Sequence, residues 1–435
     1  MLRFIKIPAL LLAILMFLCL YGYTVRYIAL GGQKTGILGP VIDAYVSWPR
    51  LIGPVVNVLM EDKSPSQIAN EQDMVSVGNL RDDLFAVTSF YLKNTKTWEI
   101  RLINLKDDEV LHRWRFKRKD YNGLGNRQFE SARPLSTIVL PDSSVIVMLD
   151  PSFNIIRINK DSKIIWHNQE KRYHHTMNLD AENNLWVCAE EAGKFKQANG
   201  KVKYYRDDHI TKIDVKTGEV IFTKSLTSIF LENGMYGPIF GVHSGSDPLH
   251  LNDIEPAFYS TDYWQKGDLF LSLRSISSVY QYRPETGKLI RAIRGPFIGQ
   301  HDVDIISEHE LSIFDNNVPR VGRKISGQSQ EEKLIYRADH SRVIVHNLSS
   351  GKFQSVFENK MREEDIWTET EGLAQFLSNG SLFVENQNRG EIYLFDSTGL
   401  VFKKYFYPYP GDQTIIERPH WVRLYENLDF FKTRD

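Results

Sequence analysis

One pattern of apolar and polar positions repeats along most of the chain. An apolar segment of strand length is followed by a polar turn, a second apolar segment and then a further hairpin closed by Gly or Asp. In Leu377–Val384, for example, the polar residues Ser378 to Ser381 separate apolar residues on both sides. Apolar segments joined by short polar turns predict antiparallel strands. The second strands of the successive copies open at Leu84, Val145, Leu185, Leu269, Leu311 and Leu382.

The second hairpin of each copy has its own turn signal. Ile213–Val220 turns through Gly218, and Tyr282–Leu289 turns through Gly287. Two hairpins per copy make a four-stranded antiparallel sheet, and copies at a spacing of roughly 50 to 70 residues are typical of radial β repeats. The pattern therefore predicts an all-β protein, a six-bladed β-propeller over residues 76–410, followed by a C-terminal extension over residues 411–435.

The N-terminal pattern is different and predicts a membrane anchor. Arg3 and Lys6 precede Ile7–Val25, a run of 19 residues without a charged side chain. This length suffices to cross a bilayer. We expect a cytoplasmic stub over residues 1–6 and an N-terminal transmembrane helix within residues 7–30, with the propeller extracytoplasmic, on the periplasmic side of the inner membrane. The alternative is a cleaved signal peptide, but the residues Leu20 to Tyr23 lack a small-residue cleavage pattern.

Residues 31–75 predict a short helical linker. Pro40, Pro49 and Pro54 interrupt its apolar stretch, so the helices in this segment should be short and amphipathic.

The amino-acid composition argues against one class of binding partner and against a disulfide. Lys and Arg number 53 against 54 Asp and Glu, which gives a net charge of −1 and argues against nucleic-acid binding. Cys19 lies in the apolar run and Cys188 in a predicted strand, so we expect no intrachain disulfide.

Histidines recur at one register of the repeat. Ten residues before the second-strand position stand His175 in the third copy and His301 in the fifth, while the longer fourth copy opens its first strand with His250. The first strands of propeller blades surround the central channel, so residues at their starts should converge. The remaining copies carry Met74, Leu135 and Gly372 there, so the repeat itself does not require histidine.

A second set of polar residues should meet these histidines. Five residues after each second-strand position the side chain is polar, and Arg274 is the only cation in the set, which comprises Ser89, Asp150, Glu190, Arg274, Asn316 and Gln387. Imidazoles beside a guanidinium suit binding an oxyanion and forming a bond to it. A metal site on the three histidines is the competing chemistry, although Arg274 would repel a divalent cation. His174 and His209 have no matching register, and we expect them to be structural or surface residues.

At these residues the chain resembles the aryl sulfotransferase family, bacterial enzymes that need no sulfonucleotide donor. The resemblance spans roughly residues 76 to 410. It is carried by four separated motifs in the family's order, namely His174–Asn178, Leu249–Asp253, Ser272–Ser275 and Gly299–Asp304, the last followed by Phe314–Asn316.

The resemblance implies an activity and roles for single residues. Members of the family transfer a sulfuryl group from a phenolic sulfate ester to another phenol through a sulfated histidine. Carried over, His301 accepts the sulfuryl group, while His175, His250, Asn252 and Arg274 hold the sulfate oxygens and handle the phenol proton. The expected partners are a small aryl sulfate donor and a hydroxyl acceptor, with no cofactor and no metal.

Two other function classes stay open. A non-catalytic, membrane-anchored propeller that binds a protein or glycan partner would use the same channel mouth. A metal-dependent hydrolase or lyase would use the three histidines as ligands. The segment Thr227–Pro248, next to His250, is either an acceptor-binding loop or an ordinary connection between blades.

Overall fold

The computed structural model describes residues 76–78, 80–92, 95–117, 120, 133–150, 152–241, 246–319, 338–405, 421–429 and 431. The predicted anchor and linker, residues 1–75, lie outside these described residues. Within the described ranges, no helix is long and apolar enough to span a bilayer.

The described strands form six antiparallel sheets of four strands each, as the repeats predict. We number these blades along the chain. Blade 1 contains β24 (Arg423–Tyr425), β1 (Phe85–Leu92), β2 (Thr97–Asn104) and β3 (Val110–Lys117). Blade 2 contains β4 (Arg133–Val139), β5 (Val145–Asp150), β6 (Asn154–Ile158) and β7 (Ile164–Asn168). Blade 3 contains β8 (Arg172–Leu179), β9 (Leu185–Lys196), β10 (Val202–Ile213) and β11 (Val220–Ser225).

The other three blades follow the same order. Blade 4 contains β12 (Leu251–Pro256), β13 (Leu269–Leu273), β14 (Ser278–Arg283) and β15 (Lys288–Ile293). Blade 5 contains β16 (Val303–Ile305), β17 (Glu310–Asp315), β18 (Arg342–Asn347) and β19 (Lys352–Val356). Blade 6 contains β20 (Leu373–Phe376), β21 (Leu382–Asn386), β22 (Glu391–Phe395) and β23 (Leu400–Tyr405).

Short helices occur at the connections between elements. Helices α1 (Leu226–Glu232) and α2 (Gly237–Phe240) join blades 3 and 4, and α3 (Glu358–Glu363) joins blades 5 and 6. Two 3₁₀ turns, Arg274–Ile276 and Gln387–Arg389, follow second strands.

The ring closes through a strand from the C-terminal part of the chain. β24 pairs with β1, with Phe85 opposite Tyr425 and Val87 opposite Arg423. The prediction that the propeller ends at residue 410 excludes β24. This prediction is wrong, because β24 belongs to the sheet of blade 1. The hairpin predicted before Leu84 is also wrong, because the first strand of blade 1 is β24. An apolar run after a turn looks the same whether its partner is adjacent or distant, so the local pattern could not distinguish the two.

Apolar side chains fill the space between neighbouring blades. In β13, Leu269 and Leu271 pack in the core shared with blade 3, whereas Phe270 packs in the core shared with blade 5. In β5, Val147 and Met148 likewise face opposite neighbours. Successive side chains of a strand point to opposite faces of the sheet, so each blade contributes to two cores.

Apart from the turn before Leu84, the predicted hairpin turns are confirmed, and one shows why glycine is needed. Asp214 Oδ1 accepts from the backbone N–H groups of Lys216 and Thr217, both at 2.8 Å. Gly218 has φ 77°, and a Cβ there would lie 2.5 Å from the Trp166 ring of blade 2. A side chain at this position would meet both backbone strain and a clash.

First strands line the channel and are joined by buried carboxylates. β4, β8, β12 and β16 contact one another in sequence around the ring. A carboxylate oxygen on one blade accepts from a backbone N–H at the first strand of the next. These contacts are Asp208 to Leu251 (3.2 Å), Asp253 to Val303 (3.0 Å), Asp302 to Ala374 (3.1 Å) and Glu385 to Val422 (3.1 Å).

A cavity of about 740 Å³ opens where the first strands end. Leu179, Ile306 and Phe376 are among its lining residues, and none of the predicted site residues is. The predicted site therefore lies toward the other end of the channel, where the first strands begin.

Candidate active site

The three predicted histidines lie at or near the starts of first strands in blades 3, 4 and 5. His175 lies in β8, within a register shift between Tyr173 and Met177. His250 directly precedes β12, and His301 lies two residues before β16. We call His175, His250 and His301 the histidine cluster.

The histidine cluster is compact, as the register predicted. The ring centroid of His175 lies 5.0 Å from that of His250 and 5.8 Å from that of His301. Two of the three residues adopt a left-handed backbone, with φ 59° at His175 and φ 57° at His250. This conformation is unfavourable for residues other than glycine and is found preferentially at functional sites.

His301 is fully buried and has a defined tautomer. The Asn316 amide group donates to the carbonyl oxygens of Thr368 (3.0 Å) and Glu371 (2.7 Å), so its Oδ1 faces His301. His301 Nδ1 lies 2.6 Å from this oxygen and must carry the proton. The other ring nitrogen, Nε2, accepts from the Glu371 N–H at 2.9 Å.

The surroundings of His301 favour the neutral ring. Burial lowers the pKa of His301 well below its usual range, the Arg274 charge lowers it further, and the bond to Asn316 opposes these effects only in part. The result is a neutral imidazole with its lone pair on Nε2.

His250 is oriented by a carboxylate. Its Nδ1 lies 2.5 Å from Asp247 Oδ2. Burial alone would raise the pKa of Asp247, but His250 and Arg206 outweigh it, and the pKa is lowered. Asp247 is therefore ionised and accepts the Nδ1 proton, which leaves His250 Nε2 on the opposite edge of the ring.

Arg274 lies beside the histidine cluster, as predicted. It begins the 3₁₀ turn after β13, and its backbone N–H donates to the His250 carbonyl at 3.0 Å. Its guanidinium donates from Nη2 to the Glu369 carbonyl at 3.4 Å. The Arg274 charge contributes to the lowered pKa of both His175 and His301.

Asn252 is buried next to the backbone of His301. Its Nδ2 donates to the Gln300 carbonyl at 3.0 Å, and its Oδ1 has no hydrogen-bond partner among the described residues. The structure thus places Asn252 where it positions the peptide before His301. Its predicted contact with sulfate oxygens stays a prediction.

Three contacts of the site were missed from the sequence. Asn316 belongs to the polar register set, but its residue type and position did not predict a role. The Glu371 N–H is a backbone group and has no signature in residue identity. His174, expected to be a structural or surface residue, has its Nδ1 2.7 Å from Nδ1 of His175.

One group of side chains with the geometry of metal ligands lies beside the histidine cluster and not within it. Within the described ranges, the only group whose ligand atoms all lie within 4.8 Å of one another is His174, Glu190 and Asp208. Glu190 already pairs with Arg172 and, at 3.6 Å, with Arg206. Two guanidiniums would repel a divalent cation, so this donor set fits ion pairing better than metal binding.

The segment Thr227–Pro248 is predicted either to bind the acceptor or only to connect blades. It contains α2 and all but the first residue of α1, and its residues 242–245 lie outside the described ranges. The Phe240 ring of α2 lies 5.3 Å from the Phe195 ring of the long β9–β10 hairpin. Both side chains are partly exposed, and Tyr236 beside them is 61% exposed. The structure thus gives this connection an exposed aromatic surface, and its role in acceptor binding stays a prediction.

Comparison with known proteins gives one family. A family model described as Arylsulfotransferase (ASST) matches residues 136–406. No curated protein matches the chain.

Several solved structures are similar at low identity. A protein of unknown function from Bacteroides caccae is 13% identical, with a TM-score of 0.49 over 80% of this chain and 100% of that one. Hydrazine synthase from Kuenenia stuttgartiensis is 9% identical, with a TM-score of 0.40 over 69% and 73%. A catalytically inactive virginiamycin B lyase from Staphylococcus aureus, solved with quinupristin, is 11% identical, with a TM-score of 0.39 over 76% and 87%. At such scores these similarities carry no information about activity.

Proposed function

Because the chain belongs to the arylsulfotransferase family, we propose that it moves a sulfuryl group from an aryl sulfate ester to a hydroxyl acceptor through a sulfated His301. The observation that carries the proposal is the state of His301. Its ring is neutral, its Nδ1 proton is held by Asn316, and its ring centroid lies 5.8 Å from that of His175 in the histidine cluster. A fixed, neutral imidazole is a suitable nucleophile for group transfer.

The attacking lone pair is occupied in this structure. Nε2 of His301 accepts from the Glu371 N–H, so the donor ester must displace this hydrogen bond before attack. The freed N–H then lies beside the sulfuryl oxygens, where a fixed donor stabilises developing charge. Glu371 has a left-handed backbone (φ 62°), and Arg133 of blade 2 pairs with its carboxylate at 2.9 Å.

The sulfuryl oxygens need donors. Arg274 supplies a planar guanidinium next to the histidine cluster, and His250 supplies a ring held by Asp247. In this proposal both residues bind the charged oxygens, while Asn252 holds the Gln300 carbonyl and through it the backbone of His301.

The leaving phenoxide needs a proton. Burial lowers the pKa of His175 well below its usual range, and the neighbouring imidazoles and Arg274 lower it further, so the ring is neutral. Its Nδ1 contacts His174, which leaves Nε2 on the opposite ring edge to serve the phenol oxygen.

Mass spectrometry tests the proposal directly. After incubation with 4-nitrophenyl sulfate and a neutral quench, we expect the protein to gain the mass of one SO₃ group, located on His301. His301→Asn should neither gain this mass nor release 4-nitrophenol. Because His301 makes two buried hydrogen bonds, we expect the variant to lose about 1 to 3 kcal/mol of stability, and a thermal unfolding curve checks that it is folded.

His209→Asn is the matched control. His209 is a buried histidine in β10 whose Nε2 faces Asp207 (3.7 Å) and Glu191 (3.9 Å) rather than the histidine cluster. This variant should be labelled like the wild type. A wild type that binds aryl sulfates without labelling or turnover would instead favour the non-catalytic binding propeller.

A further inference from the structure

His174 connects the histidine cluster to buried carboxylates. The residue lies in β8 and is 8% exposed. Its ring centroid lies 5.0 Å from that of His175, nearly perpendicular at 87°, and the two Nδ1 atoms are 2.7 Å apart. At this distance one Nδ1 must donate a proton and the other must accept it.

The far side of His174 faces negative charge. Its Nε2 lies 3.5 Å from Asp208 Oδ1, and the other Asp208 oxygen accepts from the Leu251 N–H at 3.2 Å. The backbone of the next blade therefore holds Asp208 with its other oxygen facing His174. Glu190 of β9 and Asp150 of β5 add negative charge to the surroundings of His174.

The positive groups of this region are already paired. Arg172 and Arg206 pair with Glu190, and Arg206 also lies 3.5 Å from Asp247. On the other side, His175 is surrounded by His250, His301 and Arg274. His174 thus lies between an acidic group of residues and the histidine cluster with its neighbouring Arg274 cation.

This placement decides which ring carries the shared proton. Burial by itself lowers the pKa of His174, but Asp208, Glu190 and Asp150 outweigh burial and raise it. The pKa of His175 is well below its usual range. His174 is therefore the imidazolium and its Nδ1 donates, which leaves neutral His175 with its own proton on Nε2.

We propose that His174 is a positioning residue that fixes the tautomer of His175 and exchanges a proton with it in both halves of the reaction. The inference rests on the proposed sulfuryl transfer and names the source of the proton that this transfer requires.

The proton balance closes over one turnover. In the first half, the His301 lone pair forms the N–S bond and the S–O electron pair goes to the phenoxide oxygen. That oxygen takes the Nε2 proton of His175, and His175 Nδ1 takes the Nδ1 proton of His174. His174 is left neutral, with its remaining proton on Nε2 facing Asp208.

The second half runs in reverse. The acceptor oxygen forms the new O–S bond, and the N–S electron pair returns to His301. The acceptor hydroxyl gives its proton to His175 Nε2, and the Nδ1 proton of His175 returns to His174. Asp208 faces His174 Nε2 throughout and stabilises the imidazolium.

Leaving-group dependence tests the relay. His174→Asn keeps an N–H donor near the former Nδ1 position but cannot pass a proton. With phenyl sulfate, whose phenoxide is a poor leaving group, we expect kcat/KM to fall about tenfold to a hundredfold. With 4-nitrophenyl sulfate, whose phenoxide needs little protonation, we expect a fall of less than about threefold.

The pH profile gives a second readout. With phenyl sulfate, wild-type kcat/KM should fall as pH rises through the pKa of the His174–His175 pair, because the imidazolium is lost. His174→Asn should lack this alkaline limb. His209→Asn, which removes another histidine of the same blade, should behave like the wild type with both donors.

The possible outcomes separate the relay from the proposed function. Equal losses with both donors, or an unchanged pH profile, would overturn the relay while labelling of wild-type His301 still supported sulfuryl transfer. Stoichiometric metal bound by the wild type and lost in His174→Asn would also overturn it. Absence of labelling in the wild type would overturn the proposed function itself. Labelling of His174→Asn by 4-nitrophenyl sulfate shows that the variant is folded.

Discussion

At the scale of single residues, the site depends on backbone conformations that side chains alone would not favour. His175 and His250 both have positive φ angles, as does Glu371 opposite them. Each such conformation costs on the order of 1 to 3 kcal/mol and persists only where the surrounding structure enforces it. Here the register shift in β8 and the hydrogen bond that His250 donates to Asp247 accompany these conformations. The cost is consistent with imidazoles positioned for chemistry rather than for packing.

The Arg274 guanidinium should be needed for its shape as well as its charge. In Arg274→Lys the charge remains but the planar fork of donors is lost. We expect kcat/KM for an aryl sulfate to fall by roughly tenfold to a thousandfold, about 1.4 to 4 kcal/mol of transition-state stabilisation. Steady-state kinetics at two ionic strengths measure this, because a desolvated clamp is screened by salt much less than a surface pair.

Arg283→Lys is the matched control for this substitution. Arg283 is also in blade 4 and binds Asp268 through two nitrogens, at 2.7 and 2.8 Å, away from the histidine cluster. It should lose stability but keep wild-type kinetics. Wild-type rates in Arg274→Lys at both salt concentrations would remove Arg274 from the site.

At the scale of elements, blades are joined by carboxyl groups as well as by apolar cores. Burial raises the pKa of Asp253 to about 6 and that of Glu385 to about 8, although each accepts a backbone hydrogen bond from the next blade. A protonated carboxyl group can still accept such a bond while avoiding the cost of a buried charge. Burial thus favours the neutral form of these carboxyl groups in the folded state, whereas the hydrogen bonds by themselves favour the charged form.

The raised pKa of Glu385 predicts that the free energy of unfolding decreases as pH rises. The Glu385 carboxyl has an ordinary pKa of 4.5 and a folded-state pKa of about 8, so between these values the folded state binds more protons than the unfolded state. The stabilisation that this proton binding contributes is fully present below pH 4.5 and is lost as pH rises through about 8. Thermal unfolding midpoints at pH 5 and pH 9 should differ less in Glu385→Gln, which cannot lose a proton, than in the wild type. Equal shifts in the two proteins would contradict this assignment.

At the scale of the whole molecule, the ring is completed by β24, which lies far along the chain from the strand it pairs with. Leu424 packs between blades 1 and 6 with Ala86 and Phe383. Glu385 of blade 6 holds the Val422 N–H at the start of this strand. Closure leaves blade 1 without an unpaired inner edge and keeps the ring from opening.

We also propose that Ile7–Val25 anchors this ring to the membrane with the active site outside the cytoplasm, on the basis of its length and its Arg3 and Lys6 flank. The protein should stay in the membrane fraction after an alkaline wash, and deletion of residues 1–30 should release a soluble, active protein. Protease added to spheroplasts should digest the propeller. A soluble mature protein that begins after residue 20 would show that the run is a cleaved signal peptide.

Local patterns along the chain were enough to predict the blades and the positions of the principal site residues. Alternation, turn glycines and repeat spacing are local properties, so they predicted the hairpins and the six-bladed ring. Because equivalent positions of a repeat occupy equivalent places in a ring, the register also predicted that His175, His250, His301 and Arg274 converge, and the described structure brings them together.

Contacts between groups that are distant in the chain became known only from the folded ring. The pairing of β24 with β1 and the contact of Glu371 with His301 join residues that are far apart in the chain, and the donor in the second contact is a backbone N–H that any residue but proline offers. The tautomers of His301 and His175 depend on Asn316 and Asp208, whose orientations are set by neighbouring blades. A linear pattern can place a residue on a strand, but the partner of each polar atom is known only once the ring is closed.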